Sequence, residues 1–105
     1  MGNGSRIDGV ADVDLPREKL DRVGADALKS EELLAILLRT GYEGRNVLSV
    51  ARRVLDQHPC DQLVRMTLGE LVKIKGIGQA KASVLVAAFE LARRAFDHDV
   101  GIAPT

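Results

Sequence analysis

The segment Leu71-Val72-Lys73-Ile74-Lys75-Gly76-Ile77-Gly78-Gln79-Ala80-Lys81-Ala82 constrains this chain more than any other. Two glycines around one aliphatic residue permit a sharp backbone reversal, and the aliphatic between them is at ease only if it turns inward. The apolar residues before the glycines, Leu68, Leu71, Val72 and Ile74, and the small residues after them follow a helical period and not the alternation of a strand. The pattern predicts a helix, a tight turn plugged by Ile77, and a second helix opening at Gln79. The first amides of such a helix have no carbonyl to bond and carry the positive end of its dipole. The N–H groups near Gly78, Gln79 and Ala80 are thus a candidate phosphate seat, with Lys75 and Lys81 as flanking charges. The plainer alternative is a structural turn that buries Ile77 and leaves both lysines solvated.

The remaining sequence predicts more helices around this hairpin. Pro16 suits a first helical turn and Gly24 a stop, which gives a short helix over 16–23. Ser30 is the expected N-cap of the next helix, with Glu31 and Glu32 in its first turn. Leu33, Leu34, Ile36, Leu37 and Leu38 make that helix apolar on nearly every side, so the stretch 31–39 belongs in the middle of the fold. Asn46 caps a third helix whose stripe is Val47, Val50, Ala51, Val54 and Leu55, with Arg45, Arg52 and Arg53 mostly off it. His58 and Pro59 interrupt the pattern, residues 61–66 form a short helical turn, and Thr67 caps the helix that enters the hairpin. From Gln79 to Phe96 a long helix is expected to face the core with Leu85, Ala88, Phe89, Ala92 and Phe96, widened by Val84, Ala87 and Leu91. Glu90 and Arg94 pair on its polar side.

The expected fold class is all-α: a compact bundle of about five helices over residues 15–96, containing a helix-hairpin-helix unit at 68–96. Residues 1–14, with three glycines and three aspartates, read as a disordered leader, and 97–105, with Gly101 and Pro104, as a linker.

Fifteen basic residues balance fifteen acidic ones, so no global field draws the chain to nucleic acid or to a membrane. Any attraction is local: within 67–96, Lys73, Lys75, Lys81, Arg93 and Arg94 outnumber Glu70 and Glu90 by three. The single cysteine, Cys60, excludes an internal disulfide and reads as a helix-start or core residue. With only His58 and His98 beside it, no ligand set for a metal forms, and no cofactor is expected. No stretch approaches the ~20 apolar residues of a membrane span, and no secretory pattern opens the chain, so a cytoplasmic location is expected.

The loop Arg39-Thr40-Gly41-Tyr42-Glu43-Gly44-Arg45-Asn46 is a second candidate contact, with Arg39, Thr40 and Arg45 as its residues. Its alternative is a glycine helix stop followed by an Asn cap. It is not a P-loop, because no Gly-Lys-Ser/Thr comes after it.

The pattern Leu71, Ile74, Gly76-Ile77-Gly78, Ala82 resembles the helix-hairpin-helix motif of DNA repair and recombination proteins. The wider stretches Leu15-Pro16-Arg17-Glu18-Lys19-Leu20, Glu32-Leu33-Leu34-Ala35-Ile36-Leu37-Leu38-Arg39-Thr40-Gly41, Asn46-Val47 and Lys75-Gly76-Ile77-Gly78 look like the N-terminal region of the bacterial RadC family, over roughly residues 15–96. That resemblance implies a DNA repair protein whose N-terminal region binds DNA backbone without sequence preference through Lys75, Gly76, Ile77, Gly78, Gln79, Ala80 and Lys81. It also implies a metal-dependent JAB/MPN peptidase-like domain further along the chain. The zinc-ligand pattern of that domain is missing here, so the chain reads as an N-terminal piece whose linker leads toward it.

Two other readings compete. The order of elements also resembles part of the helix-hairpin-helix DNA glycosylases, which place a lysine in the second helix and an aspartate downstream. Asp97 is suitably distant, but Ala80 stands where that lysine falls, and Lys81 is rotated from it by about 100°. No catalytic residue is assigned, and this fragment is not expected to be an enzyme. The other rival is a module that docks proteins or positions its own attached domain. An exposed patch of leucines or valines favours that rival, and a basic rim around Gly76–Gly78 favours nucleic acid.

Overall fold

A computed structural model describes residues 14–102 of the chain, with side chains for 15–97. Among the described residues the order is α1 (Asp14–Val23), a 3-10 turn (Ala25–Ala27), α2 (Ser30–Leu38), α3 (Val47–Gln57), α4 (Cys60–Leu63), α5 (Leu68–Leu71) and α6 (Gln79–Ile102). The one extended pairing among them is the isolated bridge between Tyr42 and Arg45. Among the described residues the fold is all-helical, with six helices and one 3-10 turn where the sequence pattern suggests about five helices.

The local signals act largely as expected. Gly24, at φ 90°, ends α1 while its amide bonds the Leu20 carbonyl at 2.9 Å. Asn46 caps α3 by accepting from the Ser49 amide at 2.7 Å. Thr67 and Glu70 form a reciprocal capping box on α5, through Glu70 N to Thr67 Oγ1 at 3.2 Å and Thr67 N to Glu70 Oε1 at 2.9 Å.

Other boundaries differ. α1 opens at Asp14, ahead of Pro16, which sits within the first turn where its missing N–H is harmless. Lys29, not Ser30, occupies the cap position of α2, because the Glu32 carboxylate reaches back to accept from the Lys29 amide at 2.8 Å. The short helix expected over 61–66 is Cys60–Leu63; Cys60 starts it and is exposed, so it is no core residue. Of the leader expected over 1–14, all but Asp14 lies outside the described residues.

α2 is central, packing against α1, α3 and α6. Leu34, Ala35 and Leu38 of α2 meet Val47, Val50, Ala51 and Val54 of α3 in the core, which Leu63, Leu71, Ile77, Ala82 and Leu85 complete. Two ion pairs fasten neighbours to α2 from outside: Lys19 to Glu32 at 3.3 Å from α1, and Arg52 to Glu31 at 2.9 Å from α3. The hydrogen bond from the Lys29 amide, aided by Lys19, holds the Glu32 carboxyl below its ordinary pKa against the opposing effect of burial.

The largest departure concerns α6. It does not stop at Phe96 but continues to Ile102, so the linker expected from 97 begins as helix; residues 103–105 lie outside the described ones. Its expected core stripe is buried only in its first half. Ala82 and Leu85 are fully buried and Phe89 partly, whereas Ala92 and Phe96 are exposed, as are Val84, Ala87 and Leu91. The periodicity defines an apolar side of the helix correctly, but the other helices are too short to cover all of it.

Candidate functional site

The hairpin begins with α5, a single turn of helix after which Lys73 and Ile74 close tight bonds to Glu70 and Leu71. Ile77 comes next into the core, 2% exposed, its amide bonded to the Ile74 carbonyl at 3.0 Å. Burying such a side chain stabilises the turn by about 1.5–3 kcal/mol.

The two glycines beside Ile77 have different jobs. Gly76 has φ +93°, and a Cβ there would lie 2.8 Å from Tyr42 Cε1 and 3.1 Å from Val50 Cγ1. Both backbone shape and packing therefore demand glycine at 76. Gly78 has no positive φ, and a Cβ there would meet nothing within 4 Å. The fold leaves the space over Gly78 open.

Gly78, Gln79 and Ala80 are all exposed. Among the described residues no carbonyl or side chain accepts the N–H groups of Gly78, Gln79, Ala80 or Lys81; the first inward bond of α6 is from the Ala82 amide to the Gly78 carbonyl at 2.9 Å. These donors stand together at the positive end of a 24-residue helix.

Lys81 does not flank them as a free charge. Its Nζ donates to the Leu38 carbonyl at 2.9 Å and to Thr40 Oγ1 at 2.7 Å. It thereby satisfies the carbonyl end of α2, a favourable seat for a cation. Burial, and to a lesser degree the Arg39 guanidinium, lower its pKa from the usual lysine value. Removing Lys81 therefore disturbs packing as well as charge.

Through Lys81 the two stretches singled out in the sequence meet. Arg39, Thr40, Ala80 and Lys81 line one depression of about 190 Å³. Arg39 occupies φ 72°, an uncommon backbone for a residue with a side chain. The helix stop expected from a glycine is thus made by Arg39, two residues before Gly41, and its exposed side chain is set beside the ammonium of Lys81. Arg45 is not brought to the hairpin; it pairs with Tyr42, donating its amide to the Tyr42 carbonyl at 2.9 Å. Lys75 is exposed on the hairpin, with Lys73 nearby. Among the described residues neither of them, nor Arg39, has a carboxylate within ion-pair distance, whereas Arg93 and Arg94 at the far end of α6 both bond Glu90.

Arg53 and Tyr42, not singled out in the sequence, hold the hairpin in place. Arg53 Nη2 donates to the Lys75 carbonyl and to the Tyr42 hydroxyl, each at 3.1 Å, and its guanidinium lies 5.7 Å from the centre of the Tyr42 ring that packs on Gly76. The one signal for them was the lone tyrosine in a chain with just two other aromatics.

The described residues contain no trio of His, Cys, Asp or Glu side chains arranged to hold a metal ion, and no helix among them is long and apolar enough to cross a membrane.

Fold and hairpin together define a small helical module built around a glycine turn and closed by a long helix. Residues 7–83 match the family model described as UPF0758 N-terminal, and the chain belongs to the UPF0758 family, the RadC family of the resemblance above. It is 48% identical over 91 residues to a UPF0758 protein of Desulfitobacterium hafniense, covering 86% of this chain and 40% of that protein. It is 44% identical over 89 residues to one of Methanococcoides burtonii, covering 85% and 39%, and 47% identical over 79 residues to one of Pelodictyon phaeoclathratiforme, covering 75% and 36%. The chain thus spans about two fifths of the length of the curated relatives it matches. No solved structure matches it.

Proposed function

We propose that this domain holds nucleic-acid backbone without reading sequence, by seating a phosphate on the first amides of α6. The observation that carries the reading is Gly78. The fold does not require glycine there, yet its absent side chain leaves open the approach to four unbonded N–H groups. An anion of phosphate size suits such a seat, and backbone donors carry no base code. Lys75 and Arg39 supply charge on either side, and Lys81 acts chiefly by locking α2 to α6. The site contains no arrangement of nucleophile and base, so binding and not catalysis is the reading.

Titration of labelled duplex DNA into the chain, tracked residue by residue by NMR, tests this. The expected affinity is in the range of about 10⁻⁴ to 10⁻⁶ M at physiological salt, with no preference among sequences. Contact with about two or three phosphates gives a log-log salt slope near −2 to −3, which Lys75→Ala lowers by about one. Gly78→Val should fill the open space and weaken binding while the spectrum stays folded. Shifts that fall away from residues 75–81 and Arg39, or no binding at low salt, refute the proposal.

A further inference from the structure

We propose that the apolar side which α6 carries beyond the core is the seat of the C-terminal portion that longer UPF0758 proteins possess. At ~3.6 residues per turn, Ala82, Leu85, Phe89, Ala92 and Phe96 share one side of the helix. Ala82 and Leu85 are fully buried, Phe89 is half-buried, and Phe96 is 71% exposed, so one continuous side begins as core and ends bare. Leu91, 69% exposed, and Ala95 widen the bare part. Flanking Phe89, and turned away from Leu91, Ala92 and Ala95, the side chains of Glu90, Arg93, Arg94 and Asp97 pair with one another, Arg94 to Glu90 at 2.9 Å and Arg93 to Asp97 at 3.6 Å, with Arg93 also on Glu90. Charges collected on one side and Leu, Ala and Phe on the other are the pattern of a helix lying against a partner. The bare side adjoins a groove in which Phe89 faces Leu33, Leu37, Leu55, Leu63 and Val64. Leu33 and Val64 are themselves exposed, so the apolar surface extends from α2 along α6.

The relatives identify the occupant. The matching family model is that of an N-terminal region and ends at residue 83, within α6, while the Desulfitobacterium relative is matched over only 40% of its length. In such proteins most of the chain therefore lies outside this module, and the portion C-terminal to it is joined through the counterpart of α6. A tethered neighbour is present at an effective concentration of about millimolar, so it can hold a surface too small to capture a free partner. Interfaces of this kind, roughly 600–1,500 Å², are ordinary between domains of one chain.

Nitrogen-15 relaxation on the full-length Desulfitobacterium protein provides the first test. The matched segment and the remainder are expected to share one tumbling time; two independent times would overturn the proposal. The second test joins this chain to the C-terminal portion of that relative and introduces Leu91→Asp with Phe96→Asp. Both positions are exposed, so the fold should survive, confirmed by unchanged signals from the hairpin, while the two parts separate into independent tumbling. A chimera that stays rigid despite the substitutions would remove this face from the interface. Sedimentation of the 105-residue chain covers the remaining occupants. A dimer abolished by Phe96→Asp would assign the face to a second copy, and Phe96 signals that move when residues 1–13 are removed would assign it to the chain's own N-terminal segment. Either result overturns the proposal. None of these measurements involves nucleic acid, so they stand apart from the phosphate reading.

Discussion

Arg39 holds a backbone at φ 72° that a glycine would adopt without strain, and its exposed guanidinium is placed beside Lys81 with no carboxylate to neutralise either among the described residues. Strain of this kind costs about 1 kcal/mol, so Arg39→Gly should leave stability unchanged or raise it by up to about 1 kcal/mol. DNA affinity should fall in the same variant. Urea unfolding and a binding titration on one preparation separate the two effects, and a variant that binds as well as the parent would take Arg39 out of the site. The two hairpin glycines make a sharper contrast. Gly76→Ala forces a positive φ and a contact of 2.8 Å with the Tyr42 ring, so it should cost about 2 kcal/mol or more. Gly78→Ala meets open space and should cost under about 1 kcal/mol. Equal losses in urea midpoint would show that the open space over Gly78 is not there in solution.

Among the elements, α2 depends on Glu32, which accepts from the Lys29 amide and bridges to Lys19 on α1. Because its folded pKa lies below the unfolded value of 4.5, the stabilisation is fully present above that value and is lost as pH falls through the folded one. The urea midpoint should therefore drop below pH 4.5, and Glu32→Gln should flatten that part of the profile; a profile unchanged by the substitution would dismiss the carboxylate as its source. Helix existence and several ends were legible in the sequence because their causes are local, as with Asn46, Thr67, Gly24 and the double glycine. The Lys29 cap was not, since a serine in the next position carries the usual signature and only the reach of Glu32 decides between them. Contacts across the fold left no local pattern: Arg53 meets the Lys75 carbonyl and Lys81 meets Leu38 over separations of 22 and 43 residues. The sequence shows Lys81 as a charge near the turn, but its bonds to the Leu38 carbonyl and Thr40 Oγ1 depend on residues more than 40 positions away and have no local signature. Periodicity likewise marked Ala92 and Phe96 as an apolar side of α6 without revealing whether its cover lies in the same chain.

For the molecule as a whole, if the hairpin serves as the proposed phosphate seat and not as a reaction centre, incubation of this chain with duplexes containing damaged bases should yield neither base release nor strand cleavage. Cleavage that vanishes with Lys81→Ala or Asp97→Asn would restore an enzymatic reading. α6 has its open amides at one end and its bare apolar side toward the other, and no proline interrupts Gln79–Ile102. Twenty-four helical residues make a rod about 36 Å long, and a tilt of 10° at the hairpin moves the distant end by about 6 Å. The helix is in this sense a pointer, whose angle is set at the end where the hairpin, Lys81 and α2 are locked together. Whatever rests on Leu91 and Phe96 is aimed by how the hairpin sits.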